Sequence, residues 1–332
     1  MGKVAIFLPP SFPPLRFPPR EPGITYDVRK RQYLFREVAK KSGIPFTEIP
    51  LSLDLIHEAR KKAEEIHGKE MVRRLVQWDL FLKDEESLFP FPDERTSVQK
   101  YAAVEAFLDG AAAIKAAKQL IDGEETVSIV TARPSHHALE RPAGYCFLNK
   151  MLMALSYINE HQPQKTAIIG LDAHFDNGDA EYLLKNPIGP LFSLGFDKIY
   201  QSDWFDSHPL TPEQQRLIHF ARLQPGISKE EYLQRLNQTL EEMSKFEPKI
   251  FGVNLGFDTD PRDPVTQSEL EGKLISQLTP DSYREIGSSL VKTANKIGAK
   301  ILILTEGGYD VEHGAMAEDF QRFLDGIKEG LL

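Results

Sequence analysis

Short apolar runs alternate with longer helical patterns along the chain, and this alternation constrains the fold more than any other feature. Six runs rich in β-branched residues are bounded by turn residues: Lys3–Leu8, Val127–Ala132, Thr166–Asp172, Leu191–Leu194, Ile250–Leu255 and Ile301–Thr305. Such nearly continuous apolar runs are typical of strands covered on both faces. Helical periodicity predicts helices at Tyr26–Ser42, Leu53–Phe81, Val98–Ile121, Phe147–His161, Lys229–Phe246 and Ser282–Ile297. Because alternating strands and helices form βαβ units, we predict an α/β fold with a mostly parallel sheet.

The chain has no internal repeat and no Gly/Ser linker, so we predict one domain that spans residues 1–332. The segment Pro9–Pro22 carries seven prolines and is predicted to be a loop, either a surface connection or part of a pocket rim. The apolar fraction of 41% and the charged fraction of 27% are those of a globular protein.

The charge and the cysteine content exclude several classes of protein. A formal net charge of −9 argues against broad contact with nucleic acid, which needs a clustered basic surface. No apolar stretch approaches the roughly 18 residues that a membrane span needs. Cys146 is the only cysteine, so neither an intrachain disulfide nor a thiolate metal cage can form. We expect a cytoplasmic enzyme without nucleic-acid or membrane partners, and the sequence does not indicate an oligomeric state.

Side chains that can bind a metal ion follow two of the predicted strands. Asp172 and His174 end one strand, where residues two apart point the same way, so one metal ion could contact both. Asp258 follows another strand and could supply a third ligand, because ligands bind beyond the carboxyl ends of parallel strands. Three protein ligands with a vacant fourth position describe catalytic zinc. The alternative is that Asp172 and His174 form an ordinary solvated loop pair.

Two further motifs suggest catalysis. His136 and His137 follow a strand, and a neutral imidazole is the natural base for a metal-bound water. Tyr309 follows a pair of glycines that lets the backbone approach a site closely, and its hydroxyl could donate to a developing oxyanion. The histidines could equally be plain loop residues, and Tyr309 a half-buried loop aromatic.

Together these segments resemble the histone deacetylase superfamily, which includes acetylpolyamine amidohydrolases and acetoin-utilisation proteins. Four blocks carry the resemblance: His136-His137-Ala138 with Gly144-Tyr145-Cys146-Phe147-Leu148-Asn149, Asp172-Ala173-His174 with Asn177 and Gly178 as in the class II branch, Gly256-Phe257-Asp258 with Asp263-Pro264, and Glu306-Gly307-Gly308-Tyr309. The resemblance runs from about Tyr101 to the C-terminus. The first hundred residues match loosely and are expected to form pocket-rim loops and flanking helices. The family implies a three-layer α/β/α fold of the arginase–deacetylase type.

The resemblance also implies a reaction, the removal of an acyl group from an N-acylated amine or lysine side chain, small molecule or peptide. One Zn²⁺ would be held by Asp172, His174 and Asp258. His137 would act as the base and Asn177 would orient its ring, while His136 would assist electrostatically and Tyr309 would stabilise the oxyanion. Gly144 and Tyr145 would line the substrate tunnel. Asp93 could be a rim carboxylate that holds substrate, or merely a turn residue.

The family's monovalent-cation site implies that K⁺ could bind near Asp172 and His174, with Ser193 and Leu194 on the next strand. One departure bears on this site. The family usually has an aspartate where this chain has Gly170. We therefore expect His136 to lack a carboxylate partner and the potassium site to lose a ligand.

A second family remains open as an alternative. Asp172–Asp176 and Asp258–Pro264 also resemble the metal loops of the arginase and agmatinase family, in which Asp176 and Asp260 would help to hold a second Mn²⁺. His136, His137 and Tyr309 have no matching role there and favour the deacetylase. A metal-binding pseudoenzyme is a third possibility, because Gly170 could mark weakened chemistry.

Overall fold

The computed structural model describes residues 2–10, 28–82, 89–90, 97–98 and 100–332. Its strands are β1 (Lys3–Leu8), β2 (Phe46–Glu48), β3 (Phe89–Pro90), β4 (Ser97–Val98), β5 (Glu125–Val130), β6 (Thr166–Leu171), β7 (Leu191–Phe196), β8 (Ile218–Leu223), β9 (Ile250–Leu255) and β10 (Lys300–Thr305). Its α-helices are α1 (Val28–Lys41), α2 (Leu53–His67), α3 (Lys69–Phe81), α4 (Ala102–Asp122), α5 (Lys150–His161), α6 (Asn177–Lys185), α7 (Trp204–Ser207), α8 (Lys229–Lys245), α9 (Pro264–Glu269), α10 (Pro280–Ile297) and α11 (Ala315–Leu331). No helix in these ranges is long and apolar enough to cross a membrane.

Eight strands form the central sheet, in the order β2-β1-β5-β10-β9-β6-β7-β8. Every neighbouring pair in this sheet is parallel. The carboxyl ends of all eight strands therefore lie at one edge, which is where ligands bind in sheets of this kind. The predicted α/β fold with a mostly parallel sheet is confirmed.

Alternate residues of the central strands enter two separate apolar cores, one on each face of the sheet. On β6, for example, Ala167, Ile169 and Leu171 belong to one core and Ile168 to the other. The first core includes buried residues of α1, α8, α10 and α11, and the second those of α2, α3, α4 and α5. Because both faces of the sheet are covered, its central strands are continuous apolar runs. The three-layer α/β/α prediction is confirmed.

The predicted elements differ from the structure in several places. The single helix expected over Leu53–Phe81 is two helices, because Gly68 has a φ of 82° and interrupts it. The strands β2 and β8 were not predicted, since β2 has three residues and β8 is an edge strand with several partly exposed side chains. Apart from Pro9 and Pro10, the predicted loop Pro9–Pro22 lies outside the described residues.

The final helix, α11, was also missed. Its Gly326 is a poor helix former, but this residue lies against α10, where a Cβ atom would come 1.9 Å from the backbone oxygen of Arg284. The glycine therefore allows α10 and α11 to pack closely. This contact depends on the tertiary structure, so it could not be predicted from the sequence.

Candidate metal and catalytic site

The loops that follow four adjacent strands of the sheet meet at its carboxyl edge. These strands are β5, β10, β9 and β6, in spatial order. Their loops carry His136 and His137, Tyr309, Asp258, and the pair Asp172 and His174, respectively. All six side chains belong to buried residues. Residues far apart in sequence therefore meet because the parallel topology brings their strand ends together.

Asp172, His174 and Asp258 form one compact group. His174 Nδ1 lies 3.1 Å from Asp172 Oδ1 and 3.0 Å from Asp258 Oδ2. One potential ligand atom from each residue lies within 4.8 Å of those of the other two. The remaining oxygens are held by the backbone, since Gly307 N donates to Asp172 Oδ2 and Ala173 N donates to Asp258 Oδ1.

Two glycines make room for the converging carboxylates. A Cβ atom at Gly256 would lie 2.2 Å from Asp172 Oδ2, and one at Gly307 would lie 2.2 Å from Asp258 Oδ2. Any side chain at either position would therefore displace a carboxylate. The glycines before Asp258 and within the Glu306–Tyr309 loop are part of the geometry of the site.

The charges of this group suit a cation. Burial would lower the pKa of His174, but hydrogen bonds to Asp172, Asp258 and Glu269 raise that pKa well above its usual value. Burial and the nearby charge of Asp172 raise the pKa of Asp258 to about 6. Two crowded carboxylates thus hold a proton on the imidazole, and a metal ion could take its place with release of that proton. One imidazole nitrogen and two carboxylate oxygens are the donors of a catalytic metal site with an open position.

The adjacent histidines have different partners. His136 Nδ1 lies 3.0 Å from Asp176 Oδ1, and His137 Nδ1 lies 2.6 Å from Asn177 Oδ1. Burial would lower the pKa of His136, but the charges of Asp172 and Asp176 raise it to about 10. Burial and the neighbouring charge of His136 hold the pKa of His137 well below its usual value. The first imidazole is therefore cationic at neutral pH and the second is neutral.

The prediction that His136 lacks a carboxylate partner was wrong. Asp176 supplies that carboxylate from the loop, and its side chain occupies the space above Gly170. A Cβ atom on Gly170 would lie 1.8 Å from Asp176 Oδ2. Because Gly170 has no side chain, the carboxylate of Asp176 can occupy this space.

Tyr309 is fixed through its backbone. Asp263 Oδ2 accepts a hydrogen bond of 2.7 Å from Tyr309 N, while Asp263 Oδ1 caps the start of α9. Burial and the charges of Asp258 and Asp172 raise the pKa of the Tyr309 hydroxyl well above its usual value. The hydroxyl therefore keeps its proton and can act as a hydrogen-bond donor.

The predicted tunnel residues lie beside this centre. The rings of Tyr145 and Tyr309 are 5.5 Å apart, and a Cβ atom on Gly144 would lie 2.4 Å from the ring of His137. Gly144 and Tyr145 both have positive φ angles, of 52° and 65°. Asp93 lies outside the described residues.

Three residues near the centre were not identified from sequence. Buried Arg31 of α1 donates to the backbone oxygens of Ala132 and Gly308, each at 2.9 Å. Glu269 Oε2 lies 3.1 Å from His174 Nε2, and Tyr200 packs edge-on against His137 with ring centroids 5.2 Å apart. None of the three belongs to a motif, and only the folded chain brings them to the site.

The other residues predicted to bind K⁺ or a second metal ion lie outside the group formed by Asp172, His174 and Asp258. Ser193 and Leu194 lie on β7, and Ser193 Oγ donates to Asp176 Oδ2 at 2.6 Å. Asp260 accepts three hydrogen bonds from Arg262. The two potential metal-binding groups among the described residues are Asp172 with His174 and Asp258, and His136 with Cys146 and Glu306. The structure therefore does not bring Asp176 or Asp260 into the first group, as a second metal would require.

The second of these groups is poorly suited to a metal. Burial and the charge of Glu306 raise the pKa of the Cys146 thiol well above its usual value, and the thiolate is the form that binds metals. Ser135 Oγ already donates to Glu306 Oε1. We therefore consider only the first group further.

Comparisons with known proteins agree with this architecture. In sequence, the chain is 24% identical over 290 residues to a probable deacetylase of Archaeoglobus fulgidus, covering 86% of this chain and 76% of the archaeal protein. It is also 24% identical over 210 residues to a histone deacetylase-like amidohydrolase of Pseudomonas aeruginosa, covering 61% of this chain and 53% of that protein. The chain thus spans about half the length of the Pseudomonas relative.

In structure, the chain is similar to an acetylpolyamine aminohydrolase from Burkholderia pseudomallei, with a TM-score of 0.80 and 19% sequence identity. This likeness covers 99% of both chains and supports the arginase–deacetylase type of fold. The sequence model of the histone deacetylase domain matches residues 28–324, a range that includes most of the first hundred residues, where motifs are sparse. The chain therefore belongs to the histone deacetylase family and is a hydrolytic enzyme of that family.

Proposed function

We propose that this enzyme, as one catalytic domain over residues 1–332, is a zinc-dependent amide hydrolase that removes acyl groups from N-acylated amines or lysine side chains. The observation that supports this most directly is the convergence of Asp172, His174 and Asp258 beside a neutral His137. A metal ion bound by one imidazole nitrogen and two carboxylate oxygens, next to a neutral imidazole, is suited to the attack of water on an amide.

Zn²⁺ held by these three residues would polarise the amide carbonyl and lower the pKa of the attacking water. Asn177 Oδ1 accepts from His137 Nδ1, which leaves Nε2 as the basic nitrogen of that ring. His137 takes the proton from the water and then protonates the departing amine. His136, as a cation, stabilises the negative charge that develops on the substrate, and the neutral hydroxyl of Tyr309 donates to the tetrahedral oxyanion.

The aromatic residues around the centre support an extended, narrow substrate. The rings of Tyr145 and Tyr309 pack against each other, and Tyr200 packs against His137. Flat rings flanking a buried site suit an unbranched acyl-amine chain, in which only the amide reaches the metal. We propose small-molecule or peptide acyl-amines as substrates, and K⁺ near Ser193 and Leu194 as an additional ligand.

The proposal is tested by metal analysis and a substrate panel on the same preparation. The panel contains acyl-lysine peptides with acyl chains of several lengths, acetylated polyamines, and agmatine and arginine. We expect one zinc ion per chain, hydrolysis of at least one acyl-amine, and a large loss of kcat in Tyr309→Phe with zinc retained. Two manganese ions with urea release from agmatine or arginine would contradict the proposal. Equal, negligible turnover by the wild type and Tyr309→Phe with zinc bound would contradict it too.

A further inference from the structure

Three consecutive residues at the start of α6 contact both histidines of the site. Asp176 accepts from His136 Nδ1, and Asn177 from His137 Nδ1. Gly178 N donates to the backbone oxygen of His136 at 3.0 Å. The first turn of one helix therefore fixes the two imidazole rings and the backbone between them.

The Asp176 carboxylate is turned away from its own helix and toward the site. Asp176 precedes α6 at its N-cap position, where an aspartate usually accepts a hydrogen bond from the first helical turn, yet its side chain makes no such bond. Oδ1 instead lies 3.0 Å from His136 Nδ1 and accepts from Asn254 Nδ2 at 2.8 Å, and Oδ2 accepts from Ser193 Oγ at 2.6 Å. The residue is 0% exposed, so these contacts are shielded from bulk solvent.

The contact with Asp176 fixes the direction of His136. With Nδ1 turned toward Asp176, Nε2 of the same ring lies 3.7 Å from Asp172 Oδ1, at the edge of the proposed metal group. The adjacent histidine receives a neutral amide from Asn177 in place of a carboxylate. The carboxylate of Asp176 favours a charged His136, whereas the amide of Asn177 leaves His137 neutral. The two imidazoles therefore have different roles because their partners differ in charge.

We infer that Asp176 is the positioning residue of His136, and that Gly170 and Asp176 are an exchangeable pair in which one of the two positions, but not both, carries the carboxylate. This inference rests on the proposed amide hydrolysis. Gly170 lies on β6, directly beneath the carboxylate, where a Cβ atom would come 1.8 Å from Asp176 Oδ2. A carboxylate carried by residue 170 would enter the same buried space, so the site can accept it from the strand or from the loop, but not from both.

Four variants test the pair: Asp176→Asn, Asp176→Gly, Gly170→Asp, and Gly170→Asp combined with Asp176→Gly. We expect Asp176→Gly to lower kcat by roughly 10- to 100-fold, as is typical when a partner that orients an active-site histidine is removed, with KM changed much less. Asp176→Asn keeps an acceptor oxygen for His136 but loses the negative charge, so its kcat should fall less. Gly170→Asp alone should lose activity and stability, because two side chains cannot share one space. The combined variant should recover most of the kcat that Asp176→Gly loses.

Two readouts are independent of turnover. Zinc content should stay near one ion per chain in Asp176→Asn, because Asp176 is not one of the proposed ligands. In NMR spectra of metal-free protein with ¹⁵N-labelled histidine, the hydrogen-bonded Nδ1 proton of His136 should be present in the wild type, absent in Asp176→Gly and restored in the combined variant. If the wild type hydrolyses no acyl-amine, the proposed function fails while these spectra still test the positioning role.

Wild-type kcat in folded, zinc-loaded Asp176→Gly would overturn the positioning role. A combined variant that folds but recovers neither the Nδ1 proton nor kcat would overturn the exchange. If Asp176→Gly does not fold, Ser193→Ala decides, because it removes the hydrogen bond to Asp176 Oδ2. Assays without K⁺ and at saturating K⁺ separate this loss from any effect on the proposed K⁺ site. We then expect a smaller fall in kcat at constant KM, and an unchanged kcat would count against the inference.

Discussion

Arg31 Nε donates a hydrogen bond of 2.9 Å to the backbone oxygen of Gly308, the residue immediately before Tyr309. The same guanidinium donates to the backbone oxygen of Ala132 at 2.9 Å and to that of Glu306. A side chain from α1 thus connects the loops that follow β5 and β10, one of which carries the proposed oxyanion donor.

From this contact we predict that Arg31→Lys lowers both stability and kcat. A lysine is a single point donor and cannot reproduce a planar fork that reaches several carbonyls. Losing buried hydrogen bonds from a charged donor should cost about 2–4 kcal/mol in the free energy of unfolding, measured by urea denaturation. Arg36→Lys on the same helix is the control, because its ion pair with Glu48 is partly exposed and should change that free energy by less than about 1 kcal/mol. Equal effects of the two substitutions would contradict the prediction.

The proposed ligand set predicts that Asp258→Ala abolishes zinc retention. Removing one of two carboxylates leaves His174 and Asp172, too few donors for a stable three-ligand site. The matched control is Asp260→Ala, two residues away, whose carboxylate is bound by Arg262. Metal analysis after gel filtration should find zinc in the control and not in Asp258→Ala. Zinc retained by both variants would remove Asp258 from the ligand set.

Glu269 gives a separate prediction on metal affinity. Its carboxylate contacts His174 Nε2, opposite the nitrogen that faces the two aspartates, and a partner of this kind orients a ligating imidazole and increases its basicity. Glu269→Gln should weaken zinc binding by roughly 10- to 100-fold in a competition titration with a chelator. Exposed Glu271, changed to Gln in the same way, should leave the affinity unchanged. An unaltered dissociation constant in Glu269→Gln would show that the contact does not tune the ligand.

Buried His67 predicts how stability depends on pH. Its Nδ1 lies 2.7 Å from the backbone oxygen of Leu139, and Asn149 N donates to its Nε2, so the folded protein needs the neutral ring. Burial lowers the pKa of His67 from 6.5 to about 4. Since the unfolded chain takes up the proton first, this contribution to stability is complete above pH 6.5 and is lost as the pH falls toward 4.

The loss amounts to about 3 kcal/mol over that window for a shift of this size. Urea denaturation at several pH values should give a steeper decline for the wild type than for His67→Gln, which has no titrating ring. If the free energy of unfolding declined equally with falling pH in both proteins, protonation of His67 would not be the cause of the decline.

The sequence was sufficient to predict six of the eight strands of the central sheet and the converging residues, because both follow from local pattern and parallel topology. Asp172, His174 and Asp258 each come shortly after a continuous apolar strand, so their shared edge could be inferred without coordinates. Arg31 and Glu269 could not be found in this way. Arg31 reaches the site from a helix on one face of the sheet, and Glu269 from the end of a six-residue helix, and no sequence spacing encodes either approach.

Gly170 shows why the prediction that His136 lacks a carboxylate partner was wrong. A glycine at this position predicts a missing carboxylate, because the pattern of residues along β6 says nothing about a side chain that arrives from the following loop. The sequence pattern suggests Asp176 only as a ligand for a second metal. The contact of 3.0 Å between Asp176 Oδ1 and His136 Nδ1 depends on how that loop turns back over the strand.

The start of α6 also limits how this protein can vary in length. Since residues 176, 177 and 178 each meet a fixed part of the two histidines, an insertion or deletion between His174 and Asn177 would shift all three contacts by one position at once. Connections at the opposite edge of the sheet, where the strands begin, carry no such constraint from the site. Differences in loop length among homologues of this chain should therefore accumulate at that edge and be absent from the five-residue turn that joins β6 to α6.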